Sequence, residues 1–480
     1  MSDLFDTIVS LSKQRGFIFQ SSEIYGGLSA TYDYGPLGVE LKRNVKQHWW
    51  RSMVYQNDDI VGVDAAILMH PDVWEASGHT KAFNDPLIDD KASGNRYRAD
   101  TLIEDYIRDL RANGDDDHAD AVRERLVEAL NAGDAMTDGL HAIIMDEEIP
   151  APDSGAFDWT DVRQFNLMFE THMGPVADDS SRLFLRPETA QGIFVNFDNV
   201  RKPARKHVPF GIAQIGKAFR NEIVARQFVF RMREFEQMEM QYFVKPGTQD
   251  ENFDRWKQER MEWHESLGVD PDKLRFHEHD QLSHYADQAY DIQYAFPMGW
   301  NELEGIHSRT DYDLRRHEEY SGKKMSYFDP FEQERYTPYV VETSVGIDRT
   351  ILMLLCDAYY EEEVRGDTRK VLGFHPTMAP YRAAIFPLSK KGGLPEIAHQ
   401  IEDDLRDHFS VMYDERGSMG KRYRRMDEAG TPFCITVDFD TLDDQNVTVR
   451  NRDTMEQDRI AIDNVATYIF DHTRSWTFDR

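Results

Sequence analysis

The segment FRNEIVARQFVFRMREFEQMEMQYF, residues 219–243, interleaves four arginines and four glutamates with large apolar residues. Arginine offers a planar, permanently charged fork that matches phosphate or carboxylate oxygens in pairs. A carboxylate set among arginines can instead hold a cation such as an ammonium group. Read as a strand, residues 231–243 put Arg231, Arg233, Phe235, Gln237 and Glu239 on one face. Glu234, Glu236, Met238 and Met240 fall on the other. A nucleotide lying along the first face would meet arginine at its phosphates and Phe235 at its base, with Glu239 further on for an ammonium group. A solvent-facing surface laced with salt bridges is the ordinary alternative.

A second group lies in VETSVGIDRT, residues 341–350. Glu342 and Ser344 share one face of a strand that ends at Gly346, and Arg349 falls in the first turn of the helix that follows. Free backbone N–H groups there favour anions, so arginine is a poor choice unless an anionic ligand sits nearby. A plain salt bridge from Arg349 to Asp348 or Glu342 is the competing reading. Other motifs carry less. GIAQIGKA (211–218) departs from the phosphate-loop pattern at Ala218, where a magnesium-binding hydroxyl belongs, and reads as a strand. KKMSY (323–327) resembles part of a class I synthetase signature whose partner motif is absent. HEHD (277–280) could place His277 and His279 on one strand face as metal ligands, but no third ligand stands at a telling distance.

The elements that must position these residues follow from periodicity. Leu37, Leu41, Val45, Trp49 and Met53 recur every four positions and predict a helix over 37–56, followed by a strand over 60–69. Residues 101–150, rich in Ala, Asp, Glu and Arg, predict an inserted helical subdomain. Short strands punctuated by Gly, Pro and Asn fill 183–244, residues 251–268 read as a helix, and YVVETS (339–344) as a strand leading into a helix that runs through IDRTILMLLCDAYYEEE. From Pro380 an alternating pattern (AAIFPL, a helix over 395–409, FCITVDF, NVTVRNRD) predicts a separate α/β domain.

Bulk properties set limits. A formal charge of −31 over 480 residues implies a heavily solvated surface and, taken alone, argues against a nucleic-acid partner. RKPARKH (201–207) and KRYRR (421–425) are local exceptions. Two cysteines, Cys356 and Cys434, exclude a disulfide framework or an all-cysteine zinc site and suggest a reducing, cytoplasmic setting. The N-terminal segment lacks the pattern of a secretory signal, and no apolar run approaches the ~18 residues of a membrane span, so no membrane partner is expected.

With those residues in view, a resemblance can be named. FRNE…RMREFEQMEMQYF is similar to motif 2 of class II aminoacyl-tRNA synthetases, SVGIDRTI to motif 3, and the helix and strand before Pro71 to motif 1, the dimer-forming element. YDYGPLG, SGH, FNLMFETHMGP, LRPETAQGIFVNF and FEQMEM resemble the homodimeric glycyl-tRNA synthetases over nearly the whole chain, the 101–150 segment being the departure. The resemblance implies an α+β fold: a class II catalytic domain on a six-stranded antiparallel sheet with helical insertions, plus a C-terminal α/β anticodon-binding domain. The expected divisions are 1–100 with motif 1, the insertion 101–155, the catalytic core 156–375 with motifs 2 and 3, and the anticodon-binding domain 380–480. It implies a cytoplasmic homodimer in protein biosynthesis that makes glycyl-adenylate from glycine and ATP with Mg²⁺, then loads tRNA for glycine; no zinc is expected.

Residue by residue, the resemblance assigns Arg220 and Arg349 to catalysis on the α- and γ-phosphates. The ATP site takes in Asn221, Glu222, Phe230, Arg231, Met232, Arg233, Glu234 and Phe235, the last stacked on adenine. Glu302, Leu303, Gly346, Ile347 and Asp348 complete it, with Glu302 or Glu342 reaching magnesium. The glycine site takes in Glu188 and Glu239 for the ammonium, Ser344 close by and Arg98 from the side. Phe235, Glu236, Gln237, Met238, Glu342, Thr343, Val345 and Gly346 form the rest of that pocket. Glycine has no side chain to grip, so selectivity must come from excluding larger ones. Two other readings stand beside this one: a different adenylating class II relative, and a catalytically inactive RNA-binding or polymerase accessory protein on the same fold.

Overall fold

The computed structural model describes residues 3–175, 181–222, 227–279, 282 and 286–476; residues 223–226 of the arginine–glutamate segment and Asp280 of HEHD lie outside the described residues. Its centre is a seven-stranded sheet. In chain order the strands are β1 (Ile60–Gly62), β2 (Phe210–Phe219), β3 (Glu234–Val244), β4 (Leu274–Glu278), β5 (Gln288–Phe296), β6 (Gly299–Ser308) and β7 (Tyr339–Gly346). In space they run β4-β5-β6-β7-β3-β2-β1. Six form the antiparallel sheet expected, and β1 adds a parallel edge strand beside β2.

Period-two alternation gives this sheet one apolar and one polar face. On β3, Met238, Met240 and Tyr242 are buried in the main core, where Tyr242 meets Trp256 edge-on at 5.3 Å. Trp256 belongs to helix α2 (Gln249–Ser266), which the sequence placed at 251–268. The opposite face of β3 presents Phe235, Gln237, Glu239 and Gln241, and the register sets Glu239 beside Ser344 and Gln241 beside Glu342 of β7. Two further helices pack against each other on the core side: α1 (Pro36–Trp50), which buries Leu37, Leu41, Val45 and Trp49, and α3 (Ile347–Ala358).

Helix α1 continues as one π-helical turn, Arg51–Tyr55, that buries Met53. Gly38 lets α1 approach the chain at Phe17: a Cβ there would lie 1.9 Å from the Phe17 carbonyl oxygen. Gly38→Ala is therefore expected to destabilise the fold by about 1–3 kcal/mol, the usual cost of overpacking. A lowered midpoint in thermal or denaturant unfolding is the readout.

Three sequence expectations change. The strand predicted over 60–69 stops at Gly62, because the carbonyls of Ala65 and Ala66 accept from the buried Arg186 guanidinium instead of from a neighbouring strand. The helix predicted through YYEEE ends at Ala358, and Tyr359–Val364 pairs with Asp367–Leu372 as a hairpin. Arg365 and Gly366, both at positive φ, make the two-residue turn that favours this pairing. The inserted unit is wider than its helices. Helices Ala99–Ala112, Asp116–Leu130 and Met136–Asp146 share a core with Ile88, Tyr97, Trp159 and Val162, which lie on or beside a three-stranded sheet of Asn84–Asp89, Arg96–Arg98 and Arg163–Asn166.

The C-terminal region carries a five-stranded sheet in the order Val411–Tyr413, Ala383–Pro387, Phe433–Val437, Asn446–Asn451, Gln457–Ala461. Its first three strands are parallel and helices Leu394–Arg406 and Val465–Arg474 cover its core, the α/β pattern expected. Within KRYRR the structure corrects the sequence. Arg422 is buried and donates to the carbonyls of Pro387, Glu415 and Gly417, and Arg425 pairs with Asp414. Those two cations are engaged by groups of the domain itself.

Candidate active site

The polar face of the sheet opens into a cleft with a volume of about 130 Å³. Arg220 enters it just past the end of β2, Phe235 and Gln237 from β3, and Glu302 and Leu303 from β6. Ser344 and Gly346 come from the end of β7, and Arg349 from the first turn of α3. Glu222, Val229, Phe230, Arg231, Met232 and Asp348 complete the lining.

The cationic end is held rigidly. Arg220 donates through Nε to the Pro187 carbonyl at 3.1 Å, and its guanidinium lies 5.3 Å from the Phe235 ring and 5.4 Å from that of Phe83. Arg349 donates through Nε to the Phe230 carbonyl at 3.2 Å and lies 4.4 Å from that ring. Its salt bridge, at 3.1 Å, is to Glu302 and to neither Asp348 nor Glu342. The adjacent Arg349 holds the Glu302 carboxyl below its ordinary range. Arg233 stands slightly back, donating to the Glu222 carbonyl at 3.0 Å and so fixing the loop that carries Arg220.

The anionic end lies deeper on the same face. Glu188 accepts from Gln191 at 3.0 Å and pairs with His79 at 3.3 Å. Burial alone would raise the Glu188 carboxyl, but His79 and Arg309 outweigh it and hold it at about 2. Glu239 behaves oppositely: burial, then Glu342 and Glu188, push it well up, although Thr189 Oγ and Gln241 Nε2 donate to it. Glu342 is held down against burial by Arg309 at 3.0 Å and His307 at 2.9 Å, with Gln241 donating at 2.7 Å. Glu188, Glu239, Glu342 and Asp313 thus face the Arg309 guanidinium, an excess of negative charge suited to a small cation. Gln237 ties the two ends together, accepting from the Thr189 amide and donating to Ser344 Oγ, both at 3.2 Å.

Not every residue assigned from sequence points into this space. Glu236 turns to the helix side and pairs with Lys42 and Lys46, as alternation on β3 requires. Met238, Thr343 and Val345 are buried on that face too, so they offer only backbone to the cleft, and Ile347 is in the core. Asp348 borders the cleft, but its carboxylate is taken up by Tyr34, Lys42 and the Glu236 amide. Glu234 pairs with Lys217 at the surface, and Asn221 is anchored through its amide to the Leu167 carbonyl. Arg98 belongs to the inserted unit, where it bridges Asp85 at 2.9 Å and Asp100 at 2.6 Å, yet the Glu222 charge reaches it. Sequence reasoning passed over His79, Thr189, Gln241, His307 and Arg309. Extending the alternation Gln237–Glu239 by one step finds Gln241, whereas Arg309 carries only a weak local sign, its i,i+4 partner Asp313.

Both carboxylate oxygens of Glu342 are engaged by protein donors, which leaves it poorly placed to ligate a metal. Glu302, about half exposed at the cleft and paired to one arginine, fits a magnesium site that draws its other ligands from phosphate and water.

Family models of known proteins match three parts of the chain. The model "tRNA synthetase class II core domain (G, H, P, S and T)" matches residues 169–358, "Anticodon binding domain" matches 382–472, and "Glycyl-tRNA synthetase insertion domain 1" matches 85–119 and 111–167. The insertion is therefore a feature shared with relatives. The chain is 57% identical to the glycine–tRNA ligase of Chlorobaculum tepidum over 96% of its own length and 98% of the relative's. It is 53% identical to that of Staphylococcus aureus strain JH9 over 99% and 100%. A class II core, a glycyl-type insertion, an anticodon-binding domain and identity above half along nearly the full chain lead to one assignment: this protein belongs to the glycyl-tRNA synthetase family of class II aminoacyl-tRNA synthetases.

Proposed function

We propose that this cleft activates glycine with ATP and that the chain then passes the glycyl group to tRNA, acting as a glycine–tRNA ligase. The observation that carries the reading is the separation of charge: Arg220 and Arg349 at one end, Glu188 and Glu239 at the other, with Gln237 and Ser344 between them. A glycine carboxylate oxygen attacks the α-phosphorus, the bond to the β-phosphate oxygen breaks, and pyrophosphate leaves. Arg220 binds the α-phosphate and the attacking carboxylate and takes up the negative charge that grows at phosphorus. Arg349 binds the γ-phosphate, and Phe235 and the Arg231–Arg233 segment hold the base and phosphates in line for attack. Glu302 would hold the Mg²⁺ that accompanies ATP, whose charge offsets that of the departing pyrophosphate. Glu188 and Glu239 orient the ammonium, while Thr189, Gln237 and Ser344 occupy the space that a larger side chain would need. A terminal ribose hydroxyl of the tRNA then attacks the glycyl carbonyl and AMP leaves.

The retained set of Arg220, Arg233, Phe235, Arg349 and the two buried carboxylates argues against an inactive binding protein, which has no use for a separated charge pair. Glycine-dependent ATP–pyrophosphate exchange by the purified protein is the expected result. Exchange supported by alanine or serine and not by glycine would reject the assignment.

Two further features belong to this proposal. Ile24, Tyr25 and Tyr55 are each at least 73% exposed, and Tyr55 lies on the turn that continues the motif 1 helix, which supports a homodimer built on that region. A mass of two chains in light scattering is expected. Buried, free Cys356 and Cys434 fit a reducing cytoplasm, and no helix among the described residues is long and apolar enough to cross a membrane. In the C-terminal domain the exposed Lys421 is the member of KRYRR best placed to meet a tRNA backbone.

A further inference from the structure

The same sheet face extends past the glycine end to strands β4, β5 and β6, where three metal-ligand side chains converge. His279, just past β4, donates its amide to the Ala289 carbonyl, and Ala289 stands opposite His307 of β6. Asp291 lies two residues along β5 from Ala289 and therefore on the same face. Each of His279, Asp291 and His307 offers one donor atom within 4.8 Å of the others'. His279 Nε2 is already 2.9 Å from Asp291 Oδ1, and the two imidazole rings stand edge to face with centroids 5.8 Å apart. Tetrahedral coordination with bonds near 2.1 Å requires donors roughly 3.4 Å apart, so a small change of side-chain torsion closes the set.

Two details make this more than a chance meeting of polar groups. His307 Nδ1 is 2.9 Å from Glu342 Oε1, which leaves Nε2 to face the cluster. A carboxylate bonded to the far nitrogen of a ligating histidine fixes its tautomer and raises its basicity, the arrangement typical of metal-bound imidazoles. Gly305, the neighbour of His307 on that face, leaves the room its ring occupies: a Cβ there would lie 2.7 Å from His307 Cε1. The sites of His279, Asp291 and His307 keep 33%, 12% and 20% of side-chain exposure, enough for an ion to enter and keep a water ligand.

We propose that His279, Asp291 and His307 bind one divalent cation of the zinc class, with Glu342 supporting His307 from behind. Two imidazoles and one carboxylate, the donors that the described residues bring together here, suit Zn²⁺ and its spectroscopic substitute Co²⁺, whereas Mg²⁺ and Ca²⁺ call for oxygen donors. The two cysteines play no part, and the pair His277 and His279 that stands out in the sequence is not the ligand set: the missing ligands come from two other strands. This cation would be distinct from the Mg²⁺ that accompanies ATP. Because Glu342 also accepts from Arg309 and Gln241, the site is joined through one carboxylate to the residues around Glu239.

The test is Zn²⁺ binding to the full-length protein by competition with a chromophoric chelator, together with Co²⁺ absorption spectra. One saturable site per chain and the intense visible bands of tetrahedral Co²⁺ are expected. His279→Ala and Asp291→Asn should each weaken binding by tenfold or more, and Glu342→Gln by roughly 10–100-fold, the usual effect of removing such a supporting carboxylate. His277→Ala should leave affinity and stoichiometry unchanged and serves as the control for folding and for non-specific histidine binding. Absence of a saturable site in the unmodified protein would overturn the proposal. So would equal affinity in His279→Ala, or an equal loss in His277→Ala.

Discussion

Arg220→Ala is expected to lower glycine-dependent ATP–pyrophosphate exchange by roughly 10²–10³-fold, or about 2.7–4 kcal/mol of transition-state stabilisation. The guanidinium is fixed before substrate arrives, by the Pro187 carbonyl on its Nε and by the rings of Phe83 and Phe235. A group held in this way needs little reorganisation when charge builds on phosphorus, so its removal should act mainly on kcat and less on the KM for ATP. Arg220→Lys should recover only part of the loss, since an ammonium restores the charge and not the planar fork. Single-turnover adenylate formation separates this step from release. A loss confined to the KM for ATP, with kcat intact, would make Arg220 a ground-state binding residue and reject the role proposed for it.

Glu239→Gln is expected to raise the KM for glycine by about 30-fold or more, with the KM for ATP nearly unchanged. The pairing it removes is between a buried carboxylate and an ammonium, an interaction whose truncation costs about 2–5 kcal/mol. Burial and the neighbouring Glu342 and Glu188 raise the Glu239 carboxyl well above its usual range, so in the empty pocket its charge appears only as pH rises. Glycine should therefore bind more tightly as the pH is raised through that range, because the ionised carboxylate is the form that holds an ammonium. Glu188, held at about 2, stays ionised throughout and contributes no such slope. The KM for glycine should thus fall as the pH is raised above the ordinary carboxylate range in the unmodified protein, and flatten in Glu239→Gln. Equal losses for glycine and ATP, or the same pH slope in both proteins, would remove Glu239 from the ammonium site.

Much of this site was legible along the chain because a strand reports its two faces locally. The alternation Phe235, Gln237, Glu239 against Glu236, Met238, Met240 follows from the pleat alone, and β3 presents those residues as the pattern requires. The same pattern already argued that the Glu236 side chain belongs to the helix side, where Lys42 and Lys46 meet it. Arg349 was readable as an anomaly, a cation in the first turn of a helix whose dipole disfavours it. Its actual partner Glu302 lies 47 positions away on β6 and left no local trace.

By itself, then, the amino-acid order determined the helices and strands with strong periodicity, the cleft-facing residues of β3 and β7, and the family these motifs carry. Tertiary structure alone decided which charges meet. Arg309 reaches Glu342, and Thr189 reaches Glu239 from 50 residues away. His279 finds Asp291 and His307 on two other strands. Arg422 and Arg425 of an apparent basic patch turn inward to carbonyls and to Asp414. Period and propensity act over a few residues, whereas the field at a buried carboxylate is the sum over groups that only strand register and packing bring together. For that reason Glu188 and Glu239, alike in sequence terms, end with opposite shifts in one pocket.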